Sequence, residues 1–179
     1  MENKISPTKS VISFGVLFGI LMILEFVLSY ILNIDPSTNK SYGITINFLN
    51  FLAFPILFIT YGANNFKNKV NSGFISFGET LKAGVTICVI AALLSALFSA
   101  VFNMIFPEFM ESVLIKTREA LEQKNNLTQE QIDMAIVWTK KFMNPSIAIP
   151  FTVVMYAFIG LIYSLIIGAI IKKEPIQNF

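Results

Sequence analysis

The sequence predicts an all-α polytopic membrane protein with four transmembrane helices and an extracytoplasmic two-helix hairpin between helices 3 and 4. Of its 179 residues, 55% are hydrophobic and only 13% are charged, whereas a soluble domain carries about 25% charged residues. The charges are confined to short stretches between long apolar runs, which is typical of a chain that crosses a bilayer. We therefore treat residues 1–179 as a single membrane domain.

Four apolar runs are long enough to span, because about 20 helical residues cross a hydrocarbon core of about 30 Å. They cover residues 11–32, 44–61, 83–106 and 147–171. The second run is the weakest, since it is shorter and contains Asn47, Asn50 and Pro55. The first run exceeds the apolar segment of a signal peptide, about 7–15 residues, and no A-x-A-like site follows it. We interpret it as a retained span.

Basic residues predict the orientation, because cytoplasmic loops are enriched in Lys and Arg. They precede the first run, separate the second from the third and follow the fourth: Lys4, Lys9, Lys67, Lys69, Lys82, Lys172 and Lys173. An even number of spans places both termini on that side. The abundance of Ile, Asn, Lys and Phe is typical of a bacterium with an A·T-rich genome. We expect a multi-pass protein of the bacterial cytoplasmic (inner) membrane, with both termini inside and a cytoplasmic loop at 62–82.

The stretch "GFISFGETLKAG" at 73–84 predicts the start of the third helix. Ser76 and Glu79 match the S-x-x-E capping box, in which each side chain bonds the backbone N–H of the other residue. Lys82 lies one turn later and can extend its ammonium group to the cytoplasmic surface. A catalytic Glu79–Lys82 pair is the alternative, but no nucleophile, metal-ligand set or phosphate-binding loop accompanies it.

The segment 107–145 predicts an external helical hairpin. Pro107 suits a first helical turn, and the first helix carries an apolar stripe: Met110, Val113, Leu114, Thr117 and Leu121. Asn125-Asn126 separates it from a second helix, which starts at a Thr128–Gln131 capping box and ends at Asn144-Pro145. The second stripe comprises Ile132, Ala135, Ile136, Thr139 and Met143. These faces can pack on each other and on the spans, lie in the lipid interface, where Trp138 fits, or bind a partner protein.

Polar residues inside the spans predict a cluster in the outer half of the bundle. The residues at similar depth are Glu25, Asn50, Asn103 and Tyr156. A carboxyl group within a span is a functional hypothesis by default. Glu25 either bonds Asn50 and sets the helix register, or serves a proton- or cation-linked transport path. Pro55 also removes the donor for the carbonyl of Phe51, which then needs another partner.

Small residues recur at four-residue spacing in three spans. They are Gly15 and Gly19 in the first, Ala92, Ala96 and Ala100 in the third, and Gly160, Ser164 and Gly168 in the fourth. Such stripes let helices approach closely. They fit contacts within the bundle or in a homodimer, and the sequence leaves both open.

Several function classes are excluded or disfavoured by composition. The chain has no histidine, which excludes histidine-based metal sites, Ser-His-Asp triads and Cys-His pairs. Cys88 is the single cysteine, so no disulfide forms within the chain. The net charge of +2 is too small and scattered for nucleic acid binding. We expect no cofactor.

The order of spans, the basic loop and the hairpin resembles a bacterial membrane family called domain of unknown function 4199. The most specific stretches are "SGFISFGETLKAG" at 72–84 and "LTQEQIDMAIVWTKKFMNP" at 127–145. The resemblance implies a small integral membrane protein of unassigned function, and it supplies no catalytic residues.

We therefore expect a non-enzymatic protein with a structural or interaction role. Its partners would be the lipid bilayer and either further copies of the chain or a membrane or periplasmic protein. The alternative is a small proton- or cation-linked transporter or channel subunit that uses Glu25.

Overall fold

The computed structural model describes residues 6–34, 39–123 and 127–175, and this part of the chain is helical throughout apart from short connections and one isolated β-bridge. Four helices are long and apolar enough to cross a membrane: span 1 (Ile12–Ile31), span 2 (Lys40–Val70), span 3 (Phe77–Ile105) and span 4 (Pro145–Ile171). The prediction of an all-α protein with four helices of spanning length and hydropathy is thus confirmed. Lys4 and Asn125-Asn126 lie outside the described residues.

Two helices between spans 3 and 4 form the hairpin, at Pro107–Glu122 and Gln129–Met143, and they pack on one another. A short helix, Pro7–Ser10, precedes span 1. The hairpin stripes predicted from the sequence face inward, with Ile132 only 1% exposed. The two helices are also joined by Arg118, whose Nη2 lies 2.6 Å from Asp133 Oδ1.

The segment predicted as a cytoplasmic loop, 62–82, is mostly helical, which corrects its boundaries. Span 2 continues through Asn65 and a π-helical turn, Phe66–Val70, and span 3 starts at Phe77. The connection is therefore only 71–76, and Gly73 adopts a positive φ of 85° within it. The difference arises because hydropathy identifies only the apolar part of a helix. The last turn of span 2, which carries lysines, and the first turn of span 3, which follows the Ser76 cap, are helical but polar.

Span 3 occupies the centre of the bundle and packs against each of the other three spans. Its buried core residues include Ile87, Cys88 and Ala91, which are fully inaccessible. They pack with Phe18 of span 1 and Tyr156 of span 4 in one continuous apolar core. This core holds the four helices together through close packing, since lipid tails are as apolar as the buried side chains and apolar burial alone gives little driving force between membrane helices.

Small residues are used for contacts inside the bundle. A methyl group added at Gly84 of span 3 would overlap the hydroxyl of Ser164, and one added at Gly160 would lie 2.9 Å from the Gly84 carbonyl oxygen. A methyl group at Gly15 would lie 2.8 Å from Ile90 Cβ. Gly19 and Gly168 likewise face span 3, against Leu94 and Phe77. The stripes of spans 1 and 4 are therefore occupied by span 3 rather than left free for a second copy.

The two ends of the bundle differ in charge. At the basic end, Ile75 and Lys173 exchange backbone hydrogen bonds of 2.9 Å, and Lys67 Nζ donates to the Ile171 carbonyl at 2.9 Å. The short helix Pro7–Ser10 packs at this end on span 3. The hairpin lies at the opposite end, which we call the hairpin end.

Candidate functional site

A cavity of about 1000 Å³ lies at the hairpin end, between all four spans and both hairpin helices. Span 1 contributes Met22, Glu25, Phe26, Ser29 and Tyr30, and span 2 contributes Ile46 and Asn50. Span 3 turns its small and polar residues to it, namely Ser95, Ala96, Ser99, Ala100 and Asn103. Span 4 contributes Pro145, Ala148, Ile149 and Thr152. The cavity exists because no helix packs against the small side chains of span 3 at the hairpin end. Nearer the basic end, the small residues of span 3 contact a neighbouring helix, as Gly84 does.

Glu25 and Asn50 are in direct contact on the wall of this cavity. Asn50 Nδ2 donates a hydrogen bond of 2.6 Å to Glu25 Oε2 and one of 3.2 Å to the Ile46 carbonyl oxygen. Because both N–H groups of the amide have acceptors, the orientation of the amide is determined. The contact joins span 1 to span 2.

The other amide atom, Asn50 Oδ1, has no hydrogen-bond partner among the described residues and is buried. A buried acceptor left without a donor costs about 1–3 kcal/mol. Native proteins contain few such groups, and each calls for a physical reason. Here the atom belongs to a residue that lines an amphipathic cavity.

Asn50 lies in a π-helical turn, Leu49–Ala53, directly before Pro55. Proline has no N–H, so the carbonyl of Phe51 lacks its usual helical donor. The hydroxyl of Tyr163 in span 4 donates to that carbonyl at 2.9 Å. Tyr156 Oη approaches the Asn50 carbonyl at 3.5 Å, which is a long contact. Span 4 thus supplies the donor that the sequence requires, and π-helical turns of this kind recur at functional sites.

The structure brings together part of the predicted polar cluster. Glu25, Asn50 and Asn103 line the same cavity. Tyr156 is only 2% exposed and packs in the core, where its ring lies 6.1 Å from that of Phe18. Its contact is with the backbone of Asn50 rather than with either polar side chain.

The predicted helix start lies far from the cavity, at the basic end. Glu79 N–H donates to Ser76 Oγ at 3.2 Å, and Ser76 N–H donates to Glu79 Oε2 at 2.8 Å, which is a complete capping box. Lys82 is exposed on the next turn. This geometry accounts for the motif by helix capping alone.

The family described as "Protein of unknown function (DUF4199)" matches residues 13–173, which include the hairpin and nearly all of the four spans. The chain belongs to the DUF4199 family. No curated protein and no solved structure matches it. The family description assigns no activity.

An aromatic wall, which is absent from the sequence-based predictions, closes one side of the cavity of this DUF4199 protein. The rings of Phe26 and Tyr30 contact Phe102 at 4.9 and 5.0 Å between centroids, and both also contact Phe109 of the hairpin at 5.7 Å. Phe106 joins the cluster through Phe102 at 4.8 Å. The signal was present, because these aromatic residues recur every four positions in span 1 and in span 3.

The hairpin forms the roof of the cavity. Its first helix contributes Glu108, Phe109, Ser112, Val113 and Lys116, and its second helix contributes Phe142 and Met143. Within the described residues, no three cysteine or carboxylate side chains converge on a site that could hold a metal ion. The chemistry available at the cavity is therefore apolar surface with two carboxyl groups, one amine and several amide and hydroxyl groups.

Proposed function

We propose that this protein is a non-enzymatic binding protein of the bacterial cytoplasmic membrane that holds one amphiphilic molecule in its cavity. The observation that carries the proposal is the cavity itself, whose walls are largely apolar and whose Glu25–Asn50 pair is a localised polar group. Its volume of about 1000 Å³ is at the upper end of ligand sites in proteins, about 300–1000 Å³. An amphiphile matches such a site because its body is apolar and its head is polar.

The polar side chains on the walls are arranged for binding rather than for reaction. Ser95 and Ser112 hydroxyl groups donate to carbonyl groups of their own helices, at 3.1 and 2.8 Å. The hydroxyl groups of Ser29 and Tyr42 bond each other. A serine nucleophile would instead need a general base within hydrogen-bond reach. This arrangement supports a role without covalent chemistry.

The cavity ends on the packed core towards the basic end. Below it lie Phe18, Ala91 and Ala92, all fully buried, and beyond them the close contact of Gly84 with Ser164. A transport path through the bundle would have to pass this core. The arrangement therefore supports binding from one side of the membrane over the cation-linked transport considered above.

The second hairpin helix supports a position of the hairpin on the membrane surface. Its outer face is apolar and exposed, with Val137 and Trp138 each 55% exposed. Phe142 contacts Phe151 on the exposed face of span 4 at 5.3 Å, and Lys141 Nζ lies 4.7 Å from the Trp138 ring. Aromatic and basic side chains together are typical of the interface between lipid and water. We propose that the hairpin rests on the outer leaflet above the cavity.

Cysteine labelling tests this orientation. In a Cys88→Ala background, Gln129→Cys should react with a membrane-impermeant maleimide in intact cells, and Asn68→Cys should react only after the cells are opened. Both positions are exposed. Labelling of Asn68→Cys, but not of Gln129→Cys, in intact cells would show that the protein has the opposite orientation.

Photo-crosslinking tests binding in the cavity. A diazirine-bearing fatty alcohol in nanodiscs should crosslink to peptides that line the cavity, and Ala100→Phe should reduce this crosslinking by filling the space. Val101→Phe is the matched control, because the next residue along span 3 is exposed on the outside of the bundle. Crosslinks spread evenly over the exposed faces of all spans, and unchanged by Ala100→Phe, would refute the proposal.

A further inference from the structure

The Glu25–Asn50 pair on the cavity wall indicates what the head of the ligand must provide. The Asn50 amide is fixed with Nδ2 towards Glu25 and the Ile46 carbonyl. Its Oδ1 is consequently an acceptor without a donor among the described residues. That atom is buried, so the acceptor that the pair presents to the cavity is the Glu25 carboxyl group. A carboxylate only accepts hydrogen bonds, so it is complementary to a group that donates N–H bonds.

The charges on the wall indicate the sign of the ligand. Among the described lining residues, the charged side chains are Glu25, Glu108 and Lys116. Glu108 and Lys116 lie on the hairpin, whereas Glu25 lies within span 1. A ligand with a single positive charge would balance Glu25, and a charge in an apolar site needs such a partner.

The position of Glu25 indicates how the ligand would lie. Met22, one turn before Glu25, and Phe26, the next residue, also line the cavity, so the polar pair has apolar surface beside it. The aromatic wall at Tyr30 and Phe109 continues this surface towards the hairpin. An ammonium head at Glu25 and Asn50 would therefore leave its hydrocarbon chain against apolar side chains.

We propose that the cavity binds a monocationic alkylammonium amphiphile whose nitrogen carries at least one N–H, with the Glu25 carboxylate, held by Asn50, as both counter-ion and hydrogen-bond acceptor. The proposal rests on the proposed function, because it names the class of molecule that the cavity holds. No bond is made or broken on binding.

Affinity measurements with three matched amphiphiles in nanodiscs test the proposal. Dodecylamine has the charge and the N–H, dodecyltrimethylammonium has the charge without the N–H, and dodecanol has neither. With binding to empty nanodiscs subtracted, dodecylamine should bind about tenfold more tightly than either analogue, the scale of one charge-assisted hydrogen bond.

Glu25→Gln isolates the counter-ion. It should lower dodecylamine affinity about tenfold while the affinity for dodecanol stays the same. Glu111→Gln is the matched control, because Glu111 is exposed on the hairpin and does not line the cavity. Equal affinity of the two cations, or dodecylamine binding that Glu25→Gln leaves unchanged, would overturn the proposal.

Three further results separate the possibilities. Displacement of dodecylamine by phosphatidylethanolamine, but not by phosphatidylcholine, would overturn the claim of a monocation, because that lipid carries N–H groups without net charge. Binding of none of the three amphiphiles above empty nanodiscs would refute the cavity as a ligand site, and the proposed function with it. Binding of dodecanol as tight as that of dodecylamine would leave the cavity site standing and reject only the ammonium head.

Discussion

The hydroxyl of Tyr163 should stabilise the fold, and Tyr163→Phe is the change that tests it. The hydroxyl donates at 2.9 Å to the carbonyl of Phe51, which has no helical donor because residue 55 is proline. The substitution removes one oxygen and keeps the ring, so the packing of Tyr163 on the core is retained. The expected loss therefore reports the hydrogen bond.

The magnitude follows from the environment of the bond. Hydrogen bonds between membrane helices contribute about 0.6 kcal/mol on average and about 1.7 kcal/mol at most. This bond should contribute more than that average, since the Phe51 carbonyl would otherwise face apolar surroundings without a donor. We expect Tyr163→Phe to lower the free energy of unfolding by about 1 kcal/mol.

Reversible unfolding in mixed detergent micelles, followed by circular dichroism, measures this change. Tyr61→Phe is the matched control, because Tyr61 is 64% exposed and no hydrogen bond of its hydroxyl is found among the described residues. A loss for Tyr163→Phe no larger than that for the control would refute the reasoning.

A double-mutant cycle with Pro55→Ala identifies the cause of the loss. Alanine restores an N–H at position 55, which can bond the Phe51 carbonyl within the helix. Tyr163→Phe should then cost clearly less than it does in the natural sequence. An equal cost in both backgrounds would mean that Tyr163 stabilises the protein through some other contact.

Three further predictions concern stability, each measured by the same unfolding assay. Gly84→Ala should destabilise the protein by about 1–3 kcal/mol through overpacking between spans 3 and 4. Gly78→Ala is the control and should not destabilise, because a methyl group added there meets nothing within 4 Å. Equal losses of stability for the two variants would contradict the close approach of the helices at Gly84. Ser76→Ala should cost about 1 kcal/mol because it removes the N-cap bond, and a neutral effect would mean that the capping box contributes nothing. Ile132→Ala should lower the free energy of unfolding by about 2–5 kcal/mol, because it removes a buried side chain. Arg118→Ala should lower it by less than about 1 kcal/mol, since the ion pair of Arg118 is exposed. A larger loss for Arg118→Ala would show that charge, rather than apolar burial, stabilises the hairpin.

The sequence alone determined the elements of this protein. Length and hydropathy determine the four spans, because only an apolar helix of about 20 residues satisfies both its backbone and the bilayer. Local capping signals at Ser76 and Thr128 determine where two helices start, since the bonds join residues three positions apart. The requirement for a donor at the Phe51 carbonyl was also readable from Pro55.

The residue that supplies the donor for the Phe51 carbonyl is determined by how the helices pack in three dimensions. Tyr163 supplies the donor from a helix more than 100 residues away along the chain, a pairing that no local pattern encodes. The role of the small residues likewise cannot be predicted from the sequence, because they have the same four-residue spacing in spans 3 and 4. Gly160 and Ser164 admit a neighbouring helix, whereas Ala96 and Ala100 line a cavity. A small side chain permits close approach without requiring it, so the position of the neighbouring helix decides between contact and empty space.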